Sequence, residues 1–94
     1  MSSDLLDEFC DALWLEEGLA RNTLESYRRD LSQFAVWLSR ERHLNLLEAG
    51  QIDLLAYLSR QFAAHMKATT SSRLLSSLRR FYRYQLRQGK IQID

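Results

Sequence analysis

Between Lys67 and Gly89 the chain reads KATTSSRLLSSLRRFYRYQLRQG, with six Lys and Arg residues and no Asp or Glu. Wound as an α-helix, Thr69, Arg73, Ser76, Arg80, Arg83 and Arg87 recur every three or four residues and form a ridge along one side. Guanidinium groups fork onto phosphate oxygens or guanine edges, and small hydroxyl residues let a partner come close. A merely solubilising face mixes both signs, often as Glu and Lys four residues apart, and this ridge does not. Its chemistry suits a nucleic-acid duplex.

A second polar surface lies in RNTLESYRRDLSQFAVWLSRE. Asn22, Ser26, Arg29 and Gln33 fall opposite the apolar residues of that segment, with Thr23 and Arg28 at the edge. Asn and Gln can bond adenine through two contacts, and Arg can do so to guanine. Tyr82 and Tyr84 interleave with Arg79, Arg80 and Arg83; Tyr82 falls within the apolar stripe and is expected in the core, whereas Tyr84 lies nearer the ridge, within reach of a phosphate.

No catalytic set accompanies these surfaces. His43 and His65 stand apart, and no phosphate-cradling glycine loop, nucleophile elbow or HExxH motif occurs. No cofactor, metal ion or small-molecule substrate is expected. Cys10 is the single cysteine, which excludes an internal disulfide and is expected as a small buried apolar side chain in a reducing compartment. The first residues are acidic and lack a long apolar run, so neither a secretory leader nor a membrane span is expected, and a soluble cytoplasmic protein is.

Four helices must position the two polar surfaces. The chain of 94 residues suffices for one hydrophobic core, and with no Pro and only three Gly it has strong licence for helix. The first helix is expected from about Ser3 to Glu17, burying Leu5, Leu6, Phe9 and Leu13 and ending at Gly18. The second carries Leu24, Tyr27, Leu31, Phe34 and Leu38 inward to about Arg40, with Asn22 as N-cap and Glu25 as its capping-box partner. An irregular loop from Arg42 to Gly50 precedes a helix from about Gln51 to Ala64, whose inward residues are Leu54, Leu55, Leu58 and Phe62. The last helix starts after Thr69 as N-cap, runs to about Gln88 and buries Leu74, Leu75, Leu78, Phe81, Tyr82 and Leu86. Trp14 and Trp37 are expected half-buried.

A formal net charge of +1 conceals a strong segregation. Met1 to Leu19 holds six acidic and no basic residues, Ala20 to Met66 five acidic and six basic, and Lys67 to Asp94 one acidic and seven basic. One end of the sequence is thus suited to an anionic partner and the other is not. The same complementarity would serve a helical module that docks on another protein, which is the rival reading.

The segment NTLESYRRDLSQFAVWL resembles the T-x3-Y-x2-DL-x2-F-x2-WL signature of the core-binding domain of bacterial tyrosine recombinases, carried by Thr23, Tyr27, Asp30, Leu31, Phe34, Trp37 and Leu38. SSRLLSSLRRFYRYQLRQGKI is similar to that domain's last helix, through Arg73, Leu75, Ser76, Leu78, Arg79, Phe81, Tyr82, Leu86 and Gly89. The resemblance covers nearly the whole chain, with Arg42 to Gly50 and QFAAHM departing from the pattern. It implies an all-α, compact four-helix SAM-like core-binding domain that grips duplex DNA at a core recombination site beside other recombinase protomers, near the nucleoid, in a parent that resolves chromosome dimers. It implicates Asn22, Thr23, Ser26 and Arg29 on the second helix and Thr69, Arg73, Ser76 and Arg80 on the fourth, with Arg28, Lys67 and Arg83 on phosphates. The family's DNA-cleaving Arg, Lys, His and Tyr map to no residue here. Residues 1–94 are therefore expected to form a single DNA-binding domain, with the catalytic domain after residue 94.

Overall fold

The computed structural model describes residues 2–92. Its helices are α1 (Ser2–Glu17), α2 (Arg21–Trp37), α3 (Gln51–Ala63) and α4 (Ala68–Arg87), and no strand occurs among the described residues. A π-helical turn, Leu38–Arg42, prolongs α2, and a single 3-10 turn, Leu46–Glu48, breaks the connection to α3. This connection, expected to be irregular, is ordered by a local capping box: the Asn45 side chain accepts from the amides of Leu47 and Glu48, and the Glu48 carboxylate accepts from the Asn45 amide at 2.9 Å.

The apolar period of α2 dictates its place at the centre. Leu24, Tyr27, Leu31 and Phe34, with Leu38 in the turn beyond, are all buried as expected, and α2 packs against both α1 and α4. Phe9 of α1, Phe34 of α2 and Phe81 of α4 are wholly buried. Phe9 meets Phe81 edge to face at 5.3 Å between ring centroids, while Tyr57 joins α3 to Phe34 at 4.8 Å and to Trp37 at 5.3 Å. Such pairs add to the apolar area that each ring buries.

Tyr57 replaces two residues expected inside. Leu55 and Phe62 are each 56% exposed, whereas Tyr57 is buried, because α3 meets the core through the aromatic pocket of Phe34 and Trp37. Trp14, expected half-buried, is 54% exposed: it follows the inward Leu13, and one helical step turns it to solvent. Cys10 is half-buried against the Leu24 carbonyl, and that partial burial pushes its thiol pKa up.

Both histidines have a structural place. His43 and His65 adopt left-handed backbone angles, φ 57° and 60°, at the ends of the π turn and of α3, the conformation that Gly18 supplies after α1 at φ 62°.

Candidate nucleic-acid interface

The two helices that carry the candidate residues begin without side-chain caps. Expected to start at Asn22 and Thr69, they start earlier: the Leu24 amide donates to the Ala20 carbonyl at 3.1 Å, and the Ser71 amide donates to Lys67 at 2.9 Å. Asn22 and Thr69 therefore lie within the first turns, and the capping box between Asn22 and Glu25 does not form. Their side chains stay available to an outside acceptor, as do the first amides of each helix.

Asn22, Thr23 and Ser26 of α2 face Ser72, Arg73 and Ser76 of α4 across an open cleft. A second depression shares Ser76 and continues along α4 past Arg79, Arg80, Arg83 and Arg87. The small hydroxyl residues and the guanidinium groups thus form adjoining surfaces, with Lys67 and Thr69 exposed at the start of the same helix. Arg29 is exposed on α2 outside both depressions.

The ridge of α4 is rotated from its expected position. The buried residues are Leu74, Ser77, Leu78, Phe81, Tyr84 and Gln85, while Leu75 and Tyr82 are half-buried and Leu86 is 43% exposed. At about 3.6 residues per turn, the inward direction differs from the expected one by about 70°. Phe9 causes the difference: it packs on Phe81 and, at 5.8 Å, on Tyr84. Tyr84, expected near the ridge, is consequently buried and donates to Glu8 at 3.3 Å, with burial raising its pKa. Tyr82 donates to the Leu46 carbonyl at 2.7 Å and fastens the 3-10 turn to α4.

This rotation divides the cations into two groups. Arg73 and Arg80 move to the flanks of α4, where carboxylates hold them; Arg79 and Arg83 take the crown, exposed and without an ion-pair partner among the described residues. The exposed position of Arg79 was not singled out by the sequence, since its helical angle lies off the expected ridge.

The acidic end of the sequence supplies most of the partners. From α1, Asp7 holds Arg28, Glu17 holds Arg80, Glu16 reaches Arg87 at 3.3 Å and Glu8 reaches Lys90 at 2.7 Å. Arg87 also lies over the Tyr84 ring at 5.7 Å. Arg73 differs from these because its partner, Asp30, belongs to α2 and has a side chain only 7% exposed. Nε donates to Oδ2 and Nη2 to Oδ1, both at 2.8 Å, and these bonds push the guanidinium pKa still higher.

Among the described residues no group of three or more His, Cys, Asp or Glu could hold a metal ion, and no helix is long and apolar enough to cross a membrane.

Comparison with known proteins agrees with this architecture. The chain is similar to the tyrosine recombinase XerD of Pseudomonas aeruginosa, with 50% identity over 90 residues, 96% of this chain and 30% of that protein. XerD of Shewanella oneidensis is 46% identical and that of Proteus mirabilis 42%, each over 96% of this chain. The chain spans about 30% of the length of these relatives. No match is found among solved structures. The family model for the phage integrase N-terminal SAM-like domain matches residues 6–89, the stretch that holds all four helices' core residues, and the chain belongs to that family.

Proposed function

We propose that this chain binds duplex DNA as the N-terminal gripping domain of a site-specific tyrosine recombinase. One observation carries the reading: the cleft between α2 and α4 and the arginine row of α4 adjoin through Ser76 on one side of the domain. Short polar side chains and the uncapped start of α2 at the cleft allow base edges and phosphates to approach, and the exposed Arg79 and Arg83 supply charge.

In this reading the domain provides grip and register. Cleavage of DNA, through a covalent link between a tyrosine and a phosphate, belongs to a catalytic domain after residue 94. Tyr27, Tyr57, Tyr82 and Tyr84 have no part in that chemistry. The natural partners are a core recombination site and further recombinase protomers, in the cytoplasm at the nucleoid.

A role in docking another protein is favoured by one observation, the exposed Ile52, Leu55 and Phe62 along α3, at 77%, 56% and 56%. Titration of a fluorescent duplex against salt separates the two. DNA binding through phosphates weakens steeply, with a log–log slope of about −0.9 per contact. Arg79→Ala and Arg83→Ala should each flatten that slope by about one contact and weaken all sequences alike. Absence of binding at low salt would overturn the DNA reading.

A further inference from the structure

The cations beside the cleft differ in how they are held, and that difference sorts them by task. Resting on the DNA-binding reading above, we propose that Asp30 and Arg73 form a base-reading unit. Asp30 is a positioning residue that holds the plane of Arg73 so that its free edge donates to the O6 and N7 atoms of a guanine in the major groove.

Geometry provides the first argument. The guanidinium is planar and has two usable edges. Its Nε and Nη2 edge is occupied by Asp30, with both bonds at 2.8 Å. The other edge, Nη1 with the outer N–H of Nη2, points away from the carboxylate by the shape of the group. One third of the Arg73 side chain is exposed, and the residue lines the cleft beside Asn22, Ser26 and Ser76. Those neighbours are short enough to let a base edge come within bonding distance.

Charge provides the second. A phosphate is held chiefly by net positive charge, and the Asp30 carboxylate cancels that of Arg73. Guanine O6 and N7 are uncharged acceptors, for which an oriented pair of N–H donors matters more than net charge. The carboxylates holding Arg28, Arg80 and Arg87 are 39–58% exposed and exchange readily with water and salt, whereas Asp30 at 7% does not. Arg73 is thus the candidate cation whose orientation is set before DNA arrives. An arginine already ordered loses little further freedom on binding, so its hydrogen bonds discriminate at full strength.

The test uses this chain with two probes, a mixed-sequence duplex titrated against salt and a library of duplexes with a randomised core, selected and sequenced. Asp30→Asn liberates a cation: the salt slope should steepen by about 0.9, non-specific affinity should rise, and preference for guanine at one position should fall about 5- to 150-fold. Arg73→Lys keeps the charge without the fork and should lose the same preference. If either single variant loses helicity by circular dichroism, the double change Asp30→Asn with Arg73→Gln leaves no unpaired buried charge. It should keep the parental salt slope and lose only the preference.

A double variant whose slope flattens by a full contact would identify Arg73 as a phosphate anchor and overturn the proposal, as would a guanine preference unchanged in Asp30→Asn. Either result leaves the DNA-binding reading standing. Failure of the unaltered chain to bind any duplex at low salt removes both.

Discussion

Asp30 of α2 and Arg73 of α4, 43 positions apart in the chain, are joined by two parallel hydrogen bonds of 2.8 Å. Because the carboxylate is almost wholly buried and the guanidinium one third exposed, the pair ties α2 and α4 together at the edge of the core. Arg73→Ala strands the buried carboxylate and should cost about 2 kcal/mol, below the roughly 3–5 kcal/mol of a fully buried pair because water reaches one partner. Urea denaturation of Arg73→Ala, Asp30→Asn and the double variant measures it. A single-variant loss under about 0.5 kcal/mol would show that the fork contributes no net stability.

In the proposed DNA-binding role, the α1 carboxylates that hold Arg28 and Arg80 would compete with phosphates for those cations. Glu17→Gln releases Arg80, and Asp7→Asn releases Arg28. Each change should strengthen binding to a mixed-sequence duplex at low salt and steepen the salt slope by about 0.9. Anisotropy titrations at several salt concentrations give both quantities, and unaltered slopes would place Arg80 and Arg28 away from the DNA.

Alkaline pH tests the tyrosine core. Burial raises the pKa of Tyr57, Tyr82 and Tyr84 above the usual 10.0, with Asp30, Asp53 and Glu8 respectively adding to the effect. A group whose folded pKa is raised stabilises the fold fully below its unfolded pKa, and that contribution is lost as pH rises through the folded value. Stability should therefore decline above about pH 10, with the late phenolate absorbance appearing together with loss of helicity. Complete phenolate formation in a chain that is still fully helical would contradict the burial of these rings.

Gln85 is fully buried, and neither its Nε2 nor its Oε1 has a hydrogen-bond partner among the described residues. Replacing the amide by an apolar side chain of similar length removes that desolvation cost. Gln85→Met should raise stability by about 1 kcal/mol, read as a higher urea midpoint with an unchanged slope. A lower midpoint would mean that the amide is satisfied in solution.

The number of helices, the inward face of α2 and the polar residues opposite it were legible in the sequence, because each depends on spacing within one segment. Leu24, Tyr27, Leu31, Phe34 and Leu38 leave that helix one way to bury itself. Helix α4 is different: Leu74, Leu75, Leu78, Phe81, Tyr82, Tyr84 and Leu86 spread apolar surface over a wide arc, and only the Phe9 ring against Phe81 and Tyr84 selects which part turns inward. Ala20 and Lys67 displaced the expected N-caps because their backbone carbonyls accept the first helical bonds. Which arginines of α2 and α4 are free and which are held was decided by carboxylates between 21 and 71 positions away. Local periodicity carries no information about such pairs, since they exist only once α1, α2 and α4 are packed together.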